Sequence, residues 1–134
     1  MIYMRIEDIL EAGKSFSKSI EKINKILNDP SITNTLGELE LYVHALDDLL
    51  NKRARKFHIS VNEHGCALVY HEYIPDILLY YTPLTQDAKA GDLVNEILND
   101  EEFKKTLVNR IISVMALLSR MLATSIENML DQSL

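Results

Sequence analysis

All four histidines and the single cysteine of this chain fall within 28 residues: His44, His58, His64, Cys66 and His71. Imidazole and thiolate are zinc ligands, but a zinc site needs them closely spaced and converging on one tetrahedron. No second CxxC or HxxxH element accompanies His64 and Cys66, so no metal is expected. A thiolate–imidazole pair at Cys66 and His64, with His71 nearby, defines a small enzyme as one alternative reading. His71 and Glu72 are neighbours in a strand-like run and so face opposite ways. The chain has no GxxxxGK[ST], GxSxG or HExxH. Such motifs mark phosphate cradles, nucleophile elbows and zinc hydrolases. A non-catalytic protein without a cofactor is the expectation.

The second candidate is the run KRARK, in which Lys52, Arg53, Arg55 and Lys56 place four of fourteen cations in five positions of a chain with net charge -6. Such a knot can hold phosphate or an acidic partner electrostatically, and cations at a helix C-terminus also complement its dipole. The third is a set of tyrosines. Tyr70, Tyr73, Tyr80 and Tyr81, with Leu79, supply apolar area on both faces of a strand region. Tyrosine is enriched where a surface is buried against a partner. A protein contact is expected there.

These residues need elements to position them. From Arg5 to Asn28, apolar residues at three- and four-residue steps (Ile6, Ile9, Leu10, Phe16, Ile20, Ile23, Leu27) predict an amphipathic helix over about 5–28. Asp29-Pro30 ends it. Thr35 to Glu38 has the form of a capping box and predicts a second helix over about 36–55. The period then falls to 2. Phe57, Ile59 and Val61 alternate with His58, Ser60 and Asn62, and Glu63-His64-Gly65 forms a three-residue loop with Gly65 left-handed. That loop pairs Asn62 with Cys66, Ser60 with Leu68 and His58 with Tyr70, and sets Phe57, Ile59 and Val61 opposite His71, Val69 and Ala67. A third strand, 77–82, completes an antiparallel meander over about 57–82 that Pro83 closes. Helices over about 88–98 and 100–131 follow, the last opening at Asp100 with Glu101 and Glu102 in its first turn. Apolar residues cover most of its circumference, so it is expected to be the central, most buried helix or to be shared with another subunit.

The totals bound the class. One domain, 1–134, is expected from a chain of 134 residues with 47% hydrophobic and 25% charged residues. A lone cysteine and no secretory-type N-terminal segment point to a cytoplasmic, intracellular protein. The apolar stretch from Ile111 is bracketed by Arg110 and broken by Arg120, leaving nine uncharged residues. A membrane span needs about 20, so none is expected.

The fold expected is mainly α (α+β), a bundle of about four helices with an inserted three-stranded antiparallel β-meander. The function expected is that of a protein-protein interaction or assembly subunit, homo-oligomeric or bound to a protein partner. An alternative is a small helical subunit of a ribonucleoprotein, touching nucleic acid through residues 52–56. In size and helical character the chain is similar to small subunits of CRISPR effector complexes. That similarity rests on architecture alone, and the sequence pI of about 5.1 opposes it.

Overall fold

A computed structural model describes residues 5–64, 66–74, 80–83, 95–97 and 99–133, with residues 80–83 as backbone. The chain is mainly helical, with an antiparallel sheet between its second and last long helices. It divides into two compact units, Met1–Val43 with Val108–Leu134, and His44–Leu107.

In the first unit, helix α1 (Ile6–Leu27) opens with the Arg5 backbone N–H donating to the Asp8 carboxylate at 3.2 Å. It buries Ile9, Leu10, Gly13, Ser17 and Ile20. The stripe includes a glycine and a serine because the neighbouring elements come close. A Cβ on Gly13 would lie 2.9 Å from Val43 Cγ2 and 3.4 Å from Ile111 Cγ2. Ser17 Oγ donates to Glu40 at 3.2 Å, which satisfies the buried hydroxyl. Phe16 and Leu27 are half-buried and Ile23 is exposed.

Asn28 ends α1 in the left-handed conformation, with φ 51°, and its N–H donates to Asn24 O at 2.7 Å. Helix α2 (Pro30–Leu50) starts two residues later, not at residue 36. Asp29 caps it, its carboxylate accepting from the Ser31 N–H at 2.9 Å and its carbonyl from the Thr33 N–H at 3.0 Å. The reason is proline's asymmetry. Pro30 cannot continue α1, yet at the first helical position its missing N–H costs nothing. Thr35 and Glu38 are therefore mid-helix rather than a capping box, and Glu38 instead accepts from the Tyr42 hydroxyl at 2.8 Å. Ile32, Leu36, Leu39, Tyr42 and Val43 are buried, as are Ile111, Val114 and Leu118 from the last helix.

In the second unit, α2 ends at Leu50 rather than near Arg55. A 3-10 turn (Ala54–Lys56) leads into strand β1 (Phe57–Val61), which pairs antiparallel with β2 (Cys66–His71). The register is the expected one: Phe57 opposite His71, His58 opposite Tyr70, Ile59 opposite Val69, Ser60 opposite Leu68 and Val61 opposite Ala67. The Asn62 N–H donates to Cys66 O at 3.0 Å, and the Asn62 side chain accepts from the Cys66 and His64 N–H groups at 3.0 Å each. The expected left-handed Gly65 lies outside the described residues. Strand β3 (Tyr80–Pro83) pairs antiparallel with β2, Val69 opposite Tyr80 and Leu68 opposite Tyr81. Pro83 is the last residue of this strand, opposite Cys66, and does not lie just past it as expected. Residues 77–79 of the expected strand lie outside the described residues, as does most of the expected helix 88–98; residues 95–97 are helical.

The last helix, α3 (Glu101–Ser133), opens as expected at Asp100, whose carboxylate accepts from the Glu102 N–H at 2.8 Å. Phe103 and Leu107 are buried in the second unit, as are Phe57, Val69, Ile74 and Ile97, and the rings of Phe57 and Phe103 stand 6.0 Å apart. The expectation that α3 is the most buried helix fails beyond Leu118. Met121, Leu122, Ser125 and Ile126 are half-buried, and residues 127–133 are exposed. None of the helix's described residues beyond Leu118 is buried. Among the described residues it is also the one helix long and apolar enough to cross a membrane, judged by length and composition, with 22% of its most apolar window buried.

Candidate functional site

The polar centre of the second unit is assembled by the end of α2. Lys52 adopts a left-handed conformation, φ 53°. Its N–H donates to Leu49 O at 3.1 Å, and the Arg53 N–H to Asp48 O at 2.8 Å. This is the six-to-one and five-to-two pattern of a Schellman cap, with lysine in the place glycine usually takes. The cap turns Arg53 back over the helix it has just left. Its guanidinium donates to Asp47 Oδ2 at 2.7 Å and to Asp48 Oδ1 at 3.2 Å. The hydrogen bond to Asp47, then that to Asp48, raises the Arg53 pKa above its ordinary value.

Asp48 is 2% exposed, and its second oxygen, Oδ2, lies 2.7 Å from Nε2 of His71, which is fully buried. The Tyr73 N–H donates to His71 Nδ1 at 3.3 Å. With Nδ1 accepting, the ring proton resides on Nε2 and is given to Asp48. Both ring nitrogens are thus occupied within the fold. His44, one turn before Asp48 and half-exposed, stands 3.7 Å from the same Oδ2. Phe57 and Tyr73 pack on His71 with ring centroids 5.1 and 5.6 Å away. A buried carboxylate is costly unless paired and hydrogen-bonded, and here Arg53 and His71 each take one oxygen.

The basic knot is therefore not one continuous cationic surface. Arg53 serves Asp47 and Asp48. Lys56 Nζ meets Glu72 Oε2 at 3.2 Å and stands 5.4 Å above the Tyr73 ring. Its pKa is raised, first by Glu72 and then by Tyr73. Lys52 and Arg55 are exposed and make no ion pair among the described residues. Residues 52–56 line a surface concavity of about 560 Å³.

His64, Cys66 and His71 are not brought together. His64 is exposed in the turn, its ring 3.7 Å from Glu63. Cys66 is buried and directs its thiol to the His64 carbonyl oxygen at 4.0 Å, not to the imidazole. Five residues along β2, His71 lies on the opposite face. Among the described residues no group of three histidine, cysteine or acidic side chains could hold a metal.

The tyrosines also separate. Tyr70 is half-buried beside His58, at 5.6 Å, whereas Tyr73 lies beyond the end of β2 in a turn and is 48% exposed. Tyr73 was expected on the sheet, but β2 ends at His71, which bridges to Ile74 across a tight turn. Tyr80 and Tyr81 occupy β3, and Leu79 lies outside the described residues.

Sequence reasoning missed Asp48, an acidic residue among Ala45, Leu46 and Leu49. Its one signal is that the strand register puts His71 on the face of Val69 and Ala67, where a buried imidazole needs a polar partner. Together the fold and this centre define a mainly helical α+β protein with an internally hydrogen-bonded polar centre. No protein-family model matches the chain, and no characterised protein or solved structure resembles it significantly.

Proposed function

We propose that the chain is a non-catalytic binding protein that docks a protein partner, through the outer face of α3 and the tyrosine-bearing sheet read as a three-stranded meander. One observation carries this: Ile112, Met129 and Leu130, on one side of α3 beyond Arg110, are exposed large apolar side chains. Such a concentration costs about 25 cal/mol per Å² left in water, and burial against a partner recovers that free energy. The polar centre fits the same reading, because a histidine with both nitrogens engaged has no lone pair free to accept a substrate proton.

Residues 52–56 act as a secondary contact carried by Lys52 and Arg55 alone. With two cations that make no ion pair among the described residues, nucleic-acid affinity would follow salt with a logarithmic slope of about 0.9 per phosphate, too shallow for the knot to anchor an assembly. The protein works in the cytoplasm without metal or cofactor.

Sedimentation velocity over micromolar concentrations, on the wild type and on Ile112→Asp with Leu130→Asp, tests this proposal. Association with itself or with a co-purified partner, lost in the variant at unchanged thermal stability, is the expected result. A variant that unfolds would show the face to be internal and end the docking role.

A further inference from the structure

We propose that the occupant of the α3 face is a second copy of this chain, its residues 112–133 lying antiparallel along the same residues of the first. This rests on the docking role above and names the partner. Ile112, Met115, Ser119, Leu122, Ile126 and Met129 recur at alternating steps of three and four. That average of 3.5 is the spacing of a two-helix seam. The seam is distinct from the buried row of Leu107, Ile111, Val114 and Leu118. Ile112 is 48% and Met129 41% exposed, Ser119 is exposed, and the others are half-buried. The positions flanking the seam carry no charge, Ala116 and Ala123 among them, so closing it desolvates no ion.

Charge favours one direction, and the self-complementary spacing of the seam favours a second copy. Between residues 108 and 133 the charged side chains are Arg110 and Arg120, then Glu127 and Asp131. An antiparallel copy sets Arg110 level with Asp131 of the other copy and opposes the helix dipoles, with only the two Arg120 side chains alike near the axis, whereas a parallel copy sets all four charges beside their own kind. Pairing a with d positions across a two-fold axis then matches Ile112 to Met129, Met115 to Ile126 and Ser119 to Leu122 of the second copy, an isologous contact that closes on itself. A lipid surface suits the helix less well, because membrane-surface helices carry an excess of lysine and arginine on the polar face. Here two acids cancel two arginines.

The test uses the full chain with Cys66→Ala, spin-labelled at Ser119→Cys or at Ile112→Cys, with pulsed dipolar spectroscopy and sedimentation. A dimer is expected. Labels at 119 should lie close together, and those at 112 about 25 Å or more apart along the pair, from seventeen residues at about 1.5 Å each. Short distances at both positions would mean parallel helices and overturn the proposal. So would a monomer at high micromolar concentration. In that event a surface that binds an apolar dye in the wild type, and less in a variant Ile112→Asp of unchanged stability, leaves the docking role standing for a different protein. Vesicle pelleting by the monomer would assign the face to lipid. Loss of folding in Ile112→Asp without any dimer would end both readings.

Discussion

His71 Nε2 meets Asp48 Oδ2 at 2.7 Å, joining the second strand to the last turn of α2 across 23 positions of sequence. Neither side chain reaches water, and the Arg53 guanidinium closes the other carboxylate oxygen at 3.2 Å. Helix end, strand end and basic turn are thereby one hydrogen-bonded unit. Its first role is to hold the second unit together.

Removing either partner strands the other. Asp48→Ala leaves the buried Nε2–H of His71 without an acceptor, and a loss of about 2–4 kcal/mol is expected in urea unfolding. His71→Ala should cost a similar amount, and the double variant less than the two losses added. Strictly additive losses would show that the pair is not coupled.

Lys52 occupies a backbone conformation that costs a residue with a Cβ about 1–2 kcal/mol. Lys52→Gly relieves that cost but gives the unfolded chain more freedom. A net gain of about 0.5–1 kcal/mol is expected, seen as a higher thermal midpoint. A fall would place the side chain of Lys52 in some further stabilising contact.

The four cations should separate by experiment. Arg53→Glu removes the cap's anchor and sets a third carboxylate beside Asp47 and Asp48, so the midpoint should fall. Lys52→Glu with Arg55→Glu changes the charge by the same sign and should leave folding intact. The latter pair is therefore the clean probe of nucleic-acid contact. Retention on RNA that is unaffected by it would exclude the knot as an RNA contact.

Lys56 has a raised pKa in the folded state, relative to an ordinary value of 10.5. The charged form is the one favoured by folding, so its contribution is fully present below pH 10.5 and disappears as pH rises through the higher folded value. The stability difference between wild type and Lys56→Met should be constant from pH 6 to 9 and vanish only in strong alkali. A difference that changes with pH near neutrality would implicate another group.

Gly13 makes room for Val43 at a distance that a Cβ would reduce to 2.9 Å. Alanine is the better helix former by about 1 kcal/mol, but overpacking typically costs about 1–3 kcal/mol. Gly13→Ala should therefore destabilise, and Val43→Ala in the same chain should recover part of the loss. If Gly13→Ala stabilises the protein, the helices are free to separate there.

Much of the architecture was legible from periodicity. The change from a 3.6 to a 2 period at Phe57 located the hairpin, and its three-residue loop set a register that every described pair obeys. Asp100 and its following glutamates marked the start of α3. The misplaced boundaries share a cause. Pro30 reads equally as an end and as a beginning, and the αL cap at Lys52 lacks the glycine that would announce it. The polar centre was illegible for another reason, since its members stand 23 positions apart and Asp48 is chemically out of place among apolar neighbours.

Sequence alone determined the helical and strand segments, the pairing of β1 with β2, and the amphipathic character of α1, because these follow from side-chain period and from local turn chemistry. Tertiary structure alone decided that Arg53 and Lys56 are spent on internal carboxylates, that His71 is locked between Asp48 and the Tyr73 backbone, and that the described residues of α3 beyond Leu118 are not buried. Burial and ion pairing depend on which surfaces meet in space, and no local pattern encodes that.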